Sequence, residues 1–474
     1  MAGSEPGADA ARETYSLQAS GSGDPALPQS RQDVAAVENG AGDDRPRPSR
    51  LFRVKSAGES NRRGIHPLQM LKIIWTSSST ISQAVNVLWP FVPAALALYY
   101  TQTGPHTLRF SLAYIAMVPC ANLVGFAGAE LARKMPHMLG VLAETTIGSI
   151  VEIVLFLVLL LATDNANKYY IIRAAILGSI LATMLLCLGL CFFASGLRRE
   201  TSTFDSALSE VGTGLLLMAG LGLAIPTIFS NGISIEDFGI TQADLDDRTR
   251  QLSRVISVLL LIAYIVFVWF QMRTHHGIYD AIFEHDEKRD LDKHKDKAKA
   301  KLTLTECIVS LVASVALVTL IALALVNEIE PVVLESGISD PFMGLILVPL
   351  VEKAAEHLTA LDEAWDNQIN FALSHCIGST IQTAMLNAPL VVIVAWGRGL
   401  PLDLSFEIFE IAILILAIIT VGNYLRDQKS DYLEGFLCVI TYIAIAVAAF
   451  YFPTSPEAHS RVEGGEHAER SLFM

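Results

Sequence analysis

The chain has 474 residues, 52% of them hydrophobic and only 17% charged, against about 25% charged in a soluble domain. Its mean hydropathy is +0.44, and a formal net charge of −14 argues against nucleic acid as a partner. Apolar runs of helix-spanning length recur from about residue 84 to 452, more than a large soluble core can place, so the chain reads as an all-α polytopic membrane protein in contact with lipid.

Residues 1–64 precede the first apolar stretch, and the first 50 of them are rich in Gly, Ala, Asp, Ser and Pro. They lack the apolar h-region of a signal peptide and are expected to form a disordered tail. Arg45, Arg47, Arg50, Arg53, Lys55, Arg62, Arg63 and Lys72 make a basic approach to the first span, which places the N-terminus in the cytosol. Residues 65–107 hold a lead-in over Ile65–Ser82, expected on the membrane surface, and the first transmembrane helix. Eleven spans are predicted, at about 84–101, 108–128, 138–162, 171–195, 208–229, 251–271, 302–326, 341–361, 369–396, 404–424 and 432–452. With this count Arg133 and Lys134, Arg198 and Arg199, and Arg426 and Lys429 fall on the side of the N-terminus. The acidic loops 230–250 and 327–340 fall opposite, as does the C-terminal tail 453–474.

Residues 272–301 are a charged cytosolic linker. From Glu284 to Lys301 acids alternate with lysines at helical spacing, as at Asp292/Asp296 and Lys293/Lys297. A solvated helix there would gain only a few tenths of a kcal/mol from most such pairs. Cys120, Cys187, Cys191, Cys307, Cys376 and Cys438 lie in or at the edge of apolar runs. Their spacing matches neither a metal site nor a disulfide framework, and buried free thiols are expected.

The chain repeats itself across the linker. Gly148-x-x-x-Glu152 matches Glu352-x-x-x-Glu356 in the place of its second carboxylate. Leu177-Gly178-Ser179-Ile180-Leu181-Ala182-Thr183 is followed about two hundred residues later by Ile377-Gly378-Ser379-Thr380-Ile381-Gln382-Thr383. Units 108–271 and 302–452 then hold five spans each. An odd number forces the second unit to insert upside down, which leaves one extra N-terminal helix and two inverted five-helix repeats around a midplane site.

Charge inside an apolar span needs a reason. Glu352-Lys353-Ala354-Ala355-Glu356-His357 puts two carboxylates, a lysine and a histidine into six residues, and Glu152 lies deep in another apolar run. Glu144, Gly148 and Glu152 share one helix face, and Gly148 permits close approach to the backbone. Glu152 and Glu356 facing each other would hold a cation, and the same carboxylates would take protons once it leaves. Hard oxygen ligands suit calcium. Ser149, Glu352, Ser179, Thr183, Ser379 and Gln382 supply further oxygens, and Gly178 and Gly378 thin the same faces. His357 is either an aid to proton movement or a hydrogen-bonded spacer. Glu130 is either an entrance carboxylate or a helix-end charge. Lys353 pairs with Glu352, snorkels to the interface, or reaches the site and displaces one positive charge of bound cation. The steps are conformational, with no cofactor and no covalent chemistry.

Over residues 65 to 455 the chain resembles the cation/proton exchangers of the calcium/proton type from fungal and plant vacuoles. The resemblance rests on Asn86-Val87-Leu88-Trp89-Pro90-Phe91-Val92-Pro93, Gly148 to Glu152, Leu177 to Leu181, Phe192 to Arg198, Phe270 to His275, Ala354-Ala355-Glu356-His357, Gly378 to Gln382 and Leu433-Glu434-Gly435. It implies eleven helices, two acidic motifs meeting at the ion site, Glu152 and Glu356 as the essential carboxylates, a vacuolar membrane, and a proton gradient as the driving force. Relative to the motifs of that family, Ser149 and Lys353 stand in place of asparagines, Glu352 in place of a glycine, and Ala182-Thr183 in place of Ser-Asn. Three readings follow: exchange of cytosolic Ca2+ for vacuolar H+, exchange of Na+ or K+ for H+ on the same fold, and a transport-inactive or regulatory membrane protein.

Overall fold

The computed structural model describes residues 62–76, 79–135, 137–162, 168–291, 294 and 301–453. Most of the two expected tails and the pairs Asp292/Asp296 and Lys293/Lys297 lie outside the described residues.

Among the described residues ten helices are long and apolar enough to cross a membrane: Ile81–Thr101, His106–Ala132, Leu142–Leu161, Lys168–Arg198, Ser206–Gly232, Gln242–Thr274, Leu304–Ser336, Ile369–Gly397, Ile408–Leu425 and Tyr432–Tyr451. The chain is an all-α polytopic membrane protein. Its strand content, among the described residues, is an antiparallel pair of two-residue strands, Ser202–Thr203 against Lys429–Ser430.

Composition sorts the helices into layers. Lys168–Arg198 and Ile369–Gly397 are the most enclosed, 83% and 72% buried over their most apolar stretch, whereas Gln242–Thr274 is 17% buried. The outer helix turns large side chains such as Leu259, Ile262, Ile265 and Val266 outward, as a lipid-facing surface requires. The inner two carry Gly, Ala, Ser and Thr where neighbours come closest. Gly178 is the extreme case, since a Cβ there would run into the backbone carbonyl of Leu345. Each inner helix also widens into a π turn, at Ala182–Cys187 and at Thr383–Asn387.

Two of the expected spans carry a one-residue irregularity. The region expected over 138–162 consists of His137–Gly148 and Ile150–Ala162, interrupted at Ser149. Ser149 Oγ donates to Thr146 O at 3.0 Å, while the backbone ladder runs on through the residue, from Ser149 N to Thr145 O at 3.2 Å and from Ile153 N to Ser149 O at 3.0 Å. The region expected over 341–361 consists of a short helix at Asp340–Phe342, a π turn at Met343–Leu347, and helices Val348–Glu352 and Ala354–Trp365, interrupted at Lys353. Both breaks fall inside the acidic motifs.

Helix Leu304–Ser336 runs ten residues past its expected end and takes in part of the segment read as an acidic loop. Glu328 is tolerated in it because Arg109 lies 3.3 Å and His106 2.7 Å from its carboxylate. The helix starts on a capping box of Thr303 and Glu306. Glu306 also ties down the lead-in, accepting from Arg62 Nη2 at 2.7 Å and His66 N at 3.0 Å. The lead-in forms helix Pro67–Thr76, with Ile73 inward and Leu68, Leu71 and Trp75 outward.

The linker contains helix His276–Arg289, which is not wholly solvated: Tyr279, Ile282, Phe283 and Asp286 are buried. Phe283 stacks on Phe371 at 4.7 Å. Asp286 accepts from Asn370 N at 2.7 Å, Asn370 Nδ2 at 2.8 Å and Phe371 N at 3.3 Å, capping the inner helix that begins at Ile369. The six cysteines are free and buried. Cys187, Cys191 and Cys376 nevertheless come together from both halves, their sulfurs all within 4.8 Å of one another, a grouping that linear spacing cannot show.

Burial raises the Asp286 carboxyl above its ordinary range, against the lowering by Asn370, Phe371 and Arg289. Its ionisation therefore costs the folded chain more than the unfolded one, and this part of the stability falls as pH rises above the usual carboxylate range. Asp286→Ala strips three donors of their acceptor and is expected to cost about 1–3 kcal/mol, read as a lower Tm of the detergent-solubilised chain. Asp286→Asn, which keeps one acceptor oxygen, is expected to lose less.

Candidate cation site

The two broken segments and the two inner helices meet at one cluster. Lys353, at the break between Val348–Glu352 and Ala354–Trp365, is 1% exposed. Its Nζ lies 2.7 Å from Glu152 Oε2 and 3.2 Å from Glu356 Oε2. It also donates to Ser379 Oγ at 3.0 Å, and Ser379 in turn donates to Glu356 Oε2 at 2.5 Å. Carboxylates from the two halves of the chain thus approach a single point, and a lysine ammonium stands at that point. Of the three positions open to Lys353 from sequence, it takes the one inside the site.

Glu152 receives two further donors from the opposite half: Thr383 Oγ1 at 2.9 Å and Asn387 Nδ2 at 2.7 Å, both to Oε2. Gln382 Nε2 donates to Ser149 Oγ at 2.8 Å, which fixes one break to the facing inner helix. Glu352 is buried beside Ser179, and neither of its carboxylate oxygens makes a hydrogen bond of normal geometry. Glu152 Oε1, Glu356 Oε1, Gln382 Oε1 and Asn387 Oδ1 are likewise buried with no hydrogen-bond partner among the described residues. Buried acceptors are normally satisfied. Two of these oxygens belong to the carboxylates and two to amides, and oxygen is the donor type that hard cations take.

A small pocket opens onto the cluster, lined by Glu144, Gly148, Glu352, Glu356, Thr359 and His375, among others. Gly148 is what lets Glu356 sit there, because a Cβ on it would come 2.8 Å from Glu356 Oε1. Glu144 is half-buried in the cavity wall. His357 turns to the first inner helix, its Nε2 3.4 Å from Thr183 Oγ1. Gly178 packs on the backbone of Leu345, and Gly378 has Thr145 at 4.0 Å from where its Cβ would be. Glu130 stands apart from the cluster, paired with Arg133 at 2.8 Å and accepting from Leu302 N at 3.1 Å.

Four residues enter that the sequence did not single out as site residues. Thr383 and Asn387 serve Glu152. His375 pairs with Glu363 at 2.8 Å on the cavity side. Asn387, five residues beyond Gln382 in an apolar run, was visible only as a polar interruption, and its partner lies in the other half of the chain.

The family model described as sodium/calcium exchanger protein matches residues 106–273 and 307–451. The chain is 30% identical over 376 residues to the vacuolar cation/proton exchanger 2 of Oryza sativa subsp. japonica, covering 79% of this chain and 83% of that one. It is also 30% identical over 387 residues to the vacuolar calcium ion transporter of Schizosaccharomyces pombe, covering 81% and 89%. Among solved structures, native YfkE superposes with a TM-score of 0.61 at 24% identity, over 77% of this chain and all of that one. The H+/Ca2+ exchanger CAX superposes with a TM-score of 0.57 at 13% identity, over 81% and 92%. These two likenesses are of fold. The extent of the family match, over most of both halves, and the curated relatives agree: the chain belongs to the sodium/calcium exchanger protein family and is a secondary transporter.

Proposed function

We propose that the chain is a proton-coupled antiporter that carries calcium from the cytosol into the vacuole in exchange for protons. The observation that carries the reading is the convergence of Glu152 and Glu356, one from each half, within 2.7 and 3.2 Å of a single cationic atom. Gln382 and Asn387, whose amide nitrogens bond Ser149 and Glu152, each hold a buried oxygen with no partner among the described residues. Two carboxylates match a divalent ion in charge, and when it leaves the same oxygens take protons. Competition of ion and proton for one site is the simplest coupling of two fluxes. The curated relatives, by their names vacuolar cation/proton exchangers and calcium transporters, support the ion, the proton and the membrane.

On this reading the broken region Asp340–Trp365 is an eleventh crossing. One N-terminal helix then precedes two five-span units of opposite orientation, and the N-terminus faces the cytosol. The matched π turns and matched breaks of the two halves support that arrangement. Glu144 and the His375–Glu363 pair line the way in, and His357 is an accessory to proton movement.

Lys353 favours a second reading on the same fold. Its ammonium already supplies one positive charge, so a monovalent cation, Na+ or K+, would complete the site; if the lysine never leaves, the protein is transport-inactive. Uptake into vesicles holding the full chain under an imposed pH gradient separates the readings, with calcium, manganese, sodium and potassium each added in turn. Proton release driven by calcium, and abolished in both Glu152→Gln and Glu356→Gln, is the expected result. Release with sodium or potassium alone selects the second reading, and no release with any ion selects the inactive one.

Gly148→Ala tests the geometry without altering charge. The added methyl would displace the Glu356 carboxylate, so exchange is expected to fall about tenfold or more, while the variant migrates on gel filtration as the parent does.

A further inference from the structure

We propose that Lys353 is a tethered counter-ion of the exchange site, so that a transported cation binds by displacing its ammonium from between Glu152 and Glu356 toward Glu352. The proposal rests on the exchange reading above and names what governs ion affinity at that site.

Three observations carry it. First, the ammonium occupies the point of convergence itself, at 2.7 Å from Glu152, 3.2 Å from Glu356 and 3.0 Å from Ser379. A cation held by both carboxylates would stand there, and the two cannot share the place. Second, the departure of Lys353 does not strand Glu152. Lys353 sits at a break, with φ −91° and ψ −2°, on a long flexible stem. Glu152 keeps its bonds from Thr383 and Asn387 without it. Third, a destination exists. Glu352 is the adjacent residue, buried at 2% exposure beside Ser179, with neither oxygen in a hydrogen bond of normal geometry among the described residues. A buried carboxylate so placed gains from an incoming ammonium.

The charges are consistent with this movement. Glu152, Glu352 and Glu356 with Lys353 carry three negative charges and one positive when ionised. With Lys353 on Glu352, the pair Glu152 and Glu356 is left to the cation. With Lys353 between that pair, Glu152 and Glu356 are partly compensated in an apolar interior that penalises bare charge. Every cation that enters therefore does work against an ion pair already made, and Lys353 sets a lower affinity than the carboxylates alone would give.

The test is calcium binding to the purified full-length chain in detergent, by equilibrium binding of radioactive calcium at fixed pH. Removing the ammonium with Lys353→Gln is expected to tighten calcium binding about tenfold or more, since one unit of opposing charge is lost at a few ångströms. Lys353→Arg, which keeps the charge, is expected to stay as weak as the parent. If K353Q is not recovered folded, Lys353→Met, an apolar side chain of similar length, takes its place. A parent chain that binds no calcium beside a K353Q chain that does also supports the proposal. Binding by the parent with K353Q no tighter, or with K353R as tight as K353Q, overturns it and leaves the exchange reading standing. The same comparison is run with radioactive sodium, and no binding of either ion by any of these chains overturns both.

Discussion

Three carboxylates and an ammonium can lie in a membrane interior only if they answer one another. Glu152, Glu356 and Lys353 do so directly, and much of the surrounding architecture is what that mutual compensation demands. The helices lose their regular winding for one residue at Ser149 and at Lys353, beside the acidic side chains. The helices between them must be thin, hence Gly148 under Glu356 and Gly178 against Leu345. Neutral donors must be on hand for what the ammonium does not reach, hence Thr383 and Asn387 on Glu152. Removing one partner of such a buried set leaves an uncompensated charge, which is far more costly than the net worth of the pair.

The two halves carry matching pieces with unequal chemistry. Each has a broken acidic segment and an inner helix with a π turn. Yet Glu152 is held by donors from the opposite inner helix, whereas Glu356 is held by Ser379, on the inner helix of its own half, and by Lys353. Where the second half places Asn387, the first places Cys187, which lies against Cys376 at 3.5 Å. A frame of similar parts therefore gives Glu152 two neutral donors and Glu356 one, with Lys353 shared between them.

How much of this was legible in sequence depends on what each feature needs for its recognition. The helix Tyr432–Tyr451 and its neighbours were readable because length and apolarity alone define them. The convergence of Glu152 and Glu356 was readable because buried acid is costly enough to require a partner. The breaks were not, since hydropathy averages across the residue at which a helix stops. Glu328 looked like a loop residue because sequence shows its charge and not Arg109 and His106 beside it. Lys353 had three plausible positions because the direction of its side chain depends on where the break falls. Thr383 and Asn387 were hidden because a hydroxyl or an amide reveals its role only through a partner more than two hundred residues away.

The π turn at Thr383–Asn387 has a geometric result of its own. In a regular α-helix each step of four residues over-rotates by about 40°, so Ser379, Thr383 and Asn387 would spiral away from any fixed neighbour. One widened turn gives back part of that drift and lines the three polar groups into a column along one side of the helix. Its upper and lower members touch different carboxylates, Ser379 on Glu356 and Asn387 on Glu152. The winding of the backbone thus lets one helix serve both acids from a single side.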